Sequence, residues 1–295
     1  MRSVFKKIGR RTVIGLCLAV TLSACGLTVK QKAALDHFGA ATQDFSTSAQ
    51  TEFQKSRQDV IEMNRARFEL GDSRVKLTEL DRLLTKDRVQ TRVAALQALE
   101  DYAVLLRKLI GTVSEGELLE ASNSFVSNLR TIKGVSFSEE QAEGIGKAVA
   151  AVGGLYVERK RARAVRQVVE MANEPILTVL DLVKHDFDPK STGWNAGYRL
   201  MTTELDGHAL KVGGSVSLND LTAKHLVLKA QAMAAENATR FDLVSSEITG
   251  LASAVAEAQQ NLRQVLSASD VSPEGVNQLA KKVREFKSIY SLLRN

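Results

Sequence analysis

Residues 237–265 read NATRFDLVSSEITGLASAVAEAQQNLRQV, and they place Asn237, Phe241, Val244, Ile248, Leu251, Val255, Ala258, Leu262 and Val265 at unbroken alternating steps of four and three. That spacing keeps one stripe of side chains on one face of an α-helix and is the repeat of a heptad seam. Leu226, Ala230 and Met233 carry the stripe upstream with one extra step of four, a stutter that locally unwinds a supercoil. A helix from Asp220 to Ala268 would run roughly 70 Å at 1.5 Å per residue.

The same logic works outward along the chain. Leu35, Phe38, Phe45, Ala49, Phe53, Val60 and Met63 mark a long first helix, with Thr42 and Ser56 interrupting its stripe and Gly71 ending it. A short helix holding Val75, Leu80 and Leu83 comes next, then a clearer one through Val89, Val93, Leu96, Leu99, Ala103, Leu106, Ile110 and Val113. A shorter stretch with Leu118, Phe125, Leu129 and Ile132 stops near Gly134. Ser138 and Gln141 form a capping-box pattern that opens another long helix. Pro175 falls inside its apolar pattern and predicts a kink or a restart. Ser272 and Pro273 start the last helix. With three prolines in 295 residues, the fold class is all-α. The expected architecture is an elongated antiparallel helical bundle with long coiled-coil-like helices. Polar positions in the stripes, Asn237, Thr42 and Ser56, either specify register or leave hydrated gaps.

The N-terminus has a different organisation. A basic stretch with Arg2, Lys6, Lys7, Arg10 and Arg11 precedes an apolar run from Thr12 to Leu22 and then small residues before Cys25. These are the zones of a signal peptide, and the run is too short for a permanent membrane span. Leu22-Ser23-Ala24-Cys25 resembles the lipobox of bacterial lipoproteins. The resemblance implies that residues 1–24 are removed, that Cys25 carries a diacylglyceryl thioether, and that a further acyl chain such as palmitate caps its amine in Gram-negative cells. It also implies a cell-envelope location, and Gly26, where inner-membrane lipoproteins of enteric bacteria usually have Asp, points to the outer membrane with the body facing the periplasm. Residues 25–30 would then be a lipidated tether and 31–295 the helical bundle domain.

Processing changes what the composition means. The net charge of +6 falls to +1 once the five cations of residues 1–24 are gone, and the remaining charges interleave, so no nucleic-acid partner is expected. Both cysteines are accounted for, Cys17 by removal and Cys25 by lipid, which leaves no disulfide in the mature chain. No cofactor is expected. Four scattered histidines lack the spacing of metal ligands, and no metal site is predicted. The Asp186 and Asp188 carboxylates suit caps and turns better than a cation site. No nucleophile elbow or phosphate loop occurs, no catalytic residue is assigned, and the chain reads as a non-enzyme.

Two segments are candidates for contact. The most irregular stretch, 185–219, is rich in glycine and contains the sole tryptophan; it reads largely as loop, with a helical part around Tyr198 to Leu205, and a loop is preferred to a hairpin at Gly213-Gly214. Trp194, Tyr198 and His208 are its candidate interaction residues. The run from Ile145 to Val157 is apolar almost all round and then turns basic through Arg159, Lys160, Arg161, Arg163 and Arg166. The simpler reading is a central buried helix continuing into a solvated face. The sharper one is a membrane-inserting element resembling that of helical pore-forming toxins, with Val149, Val152 and Leu155 as membrane contacts. The function expected is a structural or protein-interaction module held at the membrane by lipid, with an envelope protein as partner and an oligomeric state that the stripes leave open; the alternative is a membrane-active protein inserting through 145–157.

Overall fold

The computed structural model describes residues 26–153, 157–217, 219–268 and 270–294. Among them are eight α-helices and no strand: α1 (Val29–Glu69), α2 (Lys86–Ile110), α3 (Glu115–Arg130), α4 (Glu139–Ala150), α5 (Glu158–Phe187), α6 (Trp194–Gly213), α7 (Leu221–Ser267) and α8 (Glu274–Arg294). None of these helices is long and apolar enough to cross a membrane.

The seam does what its spacing predicts. α7 runs for 47 residues between caps at Asp220 and Ala268. Every seam position from Phe241 to Val265 is buried, while Asn237 is half-buried at its edge. α1 buries Phe38, Phe45, Phe53, Val60 and Met63 completely. At about 1.5 Å per residue α1 and α7 are roughly 60 and 70 Å long. A compact domain of this length would have a radius of gyration of about 18–19 Å, the value for a sphere less than about 50 Å across. The bundle is therefore elongated.

α1 and α7 lie antiparallel along their whole lengths. Gln31 donates to the Val265 carbonyl at 2.7 Å, Arg240 reaches Glu52 and Asp59, and Ala66 faces Ala230, so the partner number falls as the α1 number rises. α5 and α6 succeed one another against α7: Arg263 pairs with Glu170, and Tyr198 stacks on Phe241. Together they form an interrupted rod antiparallel to α7. α2 completes the first half of the bundle, α3 and α4 pack outside it, and α8 closes the groove between α1 and α7. The seam of α7 is thus covered by helices of its own chain.

Local chemistry explains several helix ends. Thr28, Ser114 and Ser138 each cap a helix in a full capping box, with Gln31, Glu117 and Gln141 returning the bond. Gly71 and Gly134 have φ of +80° and +89°, the left-handed conformation that a side chain resists.

Three expectations need correction. The apolar run 145–157 does not continue as one helix into the basic stretch: α4 ends at Ala150, Gly153 takes a φ of +60°, and α5 begins at Glu158 and packs back against α4. Gln141 and Gly144 lie beside Met171, and Ala148 beside Ala164, so both helices bury their small residues against each other. The 185–219 segment is mostly the 20-residue helix α6, because Trp194, Tyr198, Met201 and Leu205 find buried sites that outweigh its glycines. After Gly213 the chain turns without pairing as a hairpin. The segment around Leu80 is a single 3-10 turn, Leu77–Glu79. Pro175, by contrast, sits inside an unbroken α5.

Candidate functional site

The most unusual chemistry in the bundle is an ionic hub at its centre. Glu52 and Asp59 are seven residues apart on α1, two turns along one face, and repeat the heptad position of Phe38 and Phe45. Their side chains are 0% and 6% exposed. Arg240 of α7 lies between them: Nη1 donates to Glu52 at 2.9 Å, and Nη2 donates to Glu52 at 3.0 Å and to Asp59 at 2.7 Å. The Tyr198 hydroxyl of α6 donates to Asp59 at 3.0 Å and the Tyr290 hydroxyl of α8 to Glu52 at 3.2 Å. Lys55 adds a second cation to Asp59 at 3.1 Å.

Two carboxylates and two cations balance, which is what lets such charges stay buried. Burial works against the charged form of Arg240, but the hydrogen bonds and charge of Glu52 outweigh it and raise its pKa. Burial, reinforced by the Asp59 charge, pushes the Tyr198 phenol well above its ordinary value and keeps it a hydrogen-bond donor. The carboxylates are saturated by their partners, and the chemistry of the hub is fastening: it ties α1, α6, α7 and α8 at one level.

An aromatic chain leads from the hub to a second ion pair. Tyr198 stacks on Phe241 with centroids 3.9 Å apart, and Phe187, Phe53 and Trp194 come next at successive separations of 6.2, 4.7 and 5.1 Å. Arg92 lies 4.9 Å from the Trp194 ring and donates to Asp186 at 2.6 Å. A third cluster closes the end of α1. Asp72, 3% exposed, accepts from Arg67 and Arg74, and Arg67 also bonds Asn64 and Glu204. Hydrogen bonds from Arg74 outweigh burial and, with those from Arg67, hold the Asp72 carboxyl far below the usual carboxylate range.

The residues singled out in the sequence are scattered through this framework. Trp194 and Tyr198, at 2% and 0% exposure, belong to the core and to the hub and do not form a contact surface. The His208 ring is 13% exposed and bonds the Leu70 carbonyl at 3.2 Å. Val149 and Val152 are also buried, at 1% and 0%, and face the interior of the bundle. Leu155 and Cys25 lie outside the described residues. Of the expected 25–30 tether, residues 27–30 belong to the folded body: Leu27 is buried and Thr28 already caps α1. Sequence reasoning missed Glu52, Asp59 and Arg240. The available signal was acid at the core position of the α1 heptad, twice in succession.

Among the described residues no group of three or more His, Cys, Asp or Glu side chains could hold a metal ion. Large apolar side chains stand exposed at the pole formed by the end of α1 and the start of α7: Phe68, Leu77 and Leu210 in part, Leu221 and Leu228 more fully at 76% and 65%. Compared with known proteins, the chain matches no family model, no curated protein and no solved structure.

Proposed function

We propose that this chain is a lipid-anchored protein of the bacterial envelope whose helical body acts as a structural or protein-interaction module. The observation that carries the reading is the junction after the lipobox: Leu27 is already packed and Thr28 caps α1, so a folded body begins two residues after Cys25. A hub that ties four helices supports a stiff body. The exposed Leu210, Leu221 and Leu228 at the far pole supply an apolar surface of the kind partners bury.

Mass spectrometry of the N-terminal peptide tests the anchor: the mature chain begins at Cys25 with an added diacylglyceryl group, and Cys25→Ser releases the protein from the membrane fraction. Photocrosslinkers placed at Leu221 and Leu228 test the module. One recurrent envelope protein should be captured from these positions and not from Lys147, on the opposite pole. An unmodified Cys25, or crosslinking without positional preference, removes the respective half of the reading.

A further inference from the structure

The start of the folded body and an exposed run of cations meet at one pole. A side-chain carbon on Gly26 would stand 3.5 Å from Glu158 Cβ at the beginning of α5. Lys32 pairs with Glu158 at 2.7 Å, and Gln31 fastens α1 to the end of α7. Gly26, the first described residue, is bonded directly to Cys25, so a group carried by Cys25 would be attached one α-carbon step, about 3.8 Å, before Gly26.

Around that point Lys30, Arg159, Lys160 and Arg163 are all exposed. Arg159, Lys160 and Arg163 edge a groove with Ala148 of α4 and its C-cap Ala151 beside them. Val29 and Val157, 86% and 38% exposed, lie on the same pole. A cationic patch with apolar side chains between its charges matches the phosphates and upper acyl carbons of an anionic bilayer. A lipid attached at Cys25, the residue bonded to Gly26, selects this occupant over a soluble anion.

We infer that this pole is a membrane-docking surface, in which Lys30, Arg159, Lys160 and Arg163 engage the headgroups of anionic phospholipid while Val29 and Val157 enter the headgroup boundary. The inference rests on lipid attachment at Cys25 and goes beyond it by giving the body an orientation. Docked in this way, the bundle projects from the bilayer and carries its opposite pole, with Leu221 and Leu228, as far as about 60 Å from the surface.

Lysine acylation of the full chain in vesicles tests it. Vesicles of phosphatidylcholine alone are compared with vesicles that also contain phosphatidylglycerol, and labelling is read by mass spectrometry. Lys30 and Lys160 are expected to label at least about fivefold less when phosphatidylglycerol is present, with Lys211 and Lys229 at the opposite pole unchanged. High salt should abolish the difference, since charge attraction at a surface is screened within about 8 Å at physiological ionic strength. The combined replacement Arg159→Glu, Lys160→Glu and Arg163→Glu should restore Lys30 labelling. The mass of the peptide that begins at residue 25, read in the same digest, separates the two ideas. Lipid on Cys25 with Lys30 and Lys160 labelled equally on both vesicles, whether strongly or weakly, overturns the recognition of anionic headgroups and leaves the anchor standing. A Cys25 without lipid overturns the anchor and the docking together.

Discussion

The side-chain amide of Gln141 donates to the carbonyl of Met171 at 3.2 Å, and that carbonyl is the one Pro175 leaves without its helical partner. The same side chain accepts from the Ser138 amide at 2.8 Å as the returning half of the α4 capping box. One residue therefore starts α4, repairs α5 and fixes the register between them, which is how a proline sits inside a continuous helix. Replacing Gln141 by Ala should cost about 1–3 kcal/mol, because a half-buried carbonyl and a helix end both lose a partner. In a Pro175→Ala background the restored amide supplies the missing bond, and the cost of Gln141→Ala should shrink. Denaturant titration of the four chains of this cycle checks it; equal costs in both backgrounds would rule out the repair.

Among the described residues, Arg240 is the one cation that touches both carboxylates of the hub. Arg240→Met keeps much of the volume and removes the charge, leaving Glu52 without its cation in the interior. A loss of about 3–5 kcal/mol is expected, measured by chemical unfolding. Adding Glu52→Gln to that variant should recover part of it. A loss below about 1 kcal/mol would show that water reaches Glu52.

Asp72 gives the acid limb of stability a specific origin. Its folded-state pKa is depressed, first by hydrogen bonds from Arg74 and then by those from Arg67. A depressed carboxylate contributes stability that is fully present above its unfolded value, about 3.9, and is lost as the pH falls through the lowered folded value. Unfolding free energies measured from about pH 6 downward should decline below about pH 4, and Asp72→Asn should flatten that decline. An unchanged slope in the variant would assign the acid sensitivity elsewhere.

Two glycines within helices should respond in opposite ways to alanine. A side-chain carbon at Gly250 meets nothing within 4 Å, and Gly250→Ala should stabilise by about 0.5–1 kcal/mol through helix propensity. At Gly39 the added carbon would lie 2.5 Å from Arg107 Cγ and 3.1 Å from the Ala103 carbonyl oxygen. Arg107 is pinned there by Asp36 and Gln43, so Gly39→Ala should give no gain and should loosen α2 from α1. Thermal unfolding of the two variants side by side distinguishes them.

Much of this fold was legible residue by residue. The heptad steps of α7 placed its ends and its buried face, because a helix repeats its facing direction every three to four residues whatever surrounds it. The Ser138–Gln141 capping box was legible for the same reason, since a cap is a contact across three residues; those at Thr28 and Ser114 emerged only with the structure. A hydrophobic stripe by itself assigns no partner, and it was the packing of α1, α5, α6 and α8 that covered the α7 seam within one chain.

Tertiary structure alone decided the rest. Gly153 breaks the apolar run because α4 turns back onto α5, a choice made by packing between helices and invisible to local periodicity. Glycine-rich 194–213 became helix because burial of Trp194 and Tyr198 outweighs a propensity cost of about 1 kcal/mol per glycine. Glu52 and Arg240 are 188 residues apart in the chain, and charges that distant in sequence acquire meaning only when folding brings them, with Asp59, into one low-dielectric site.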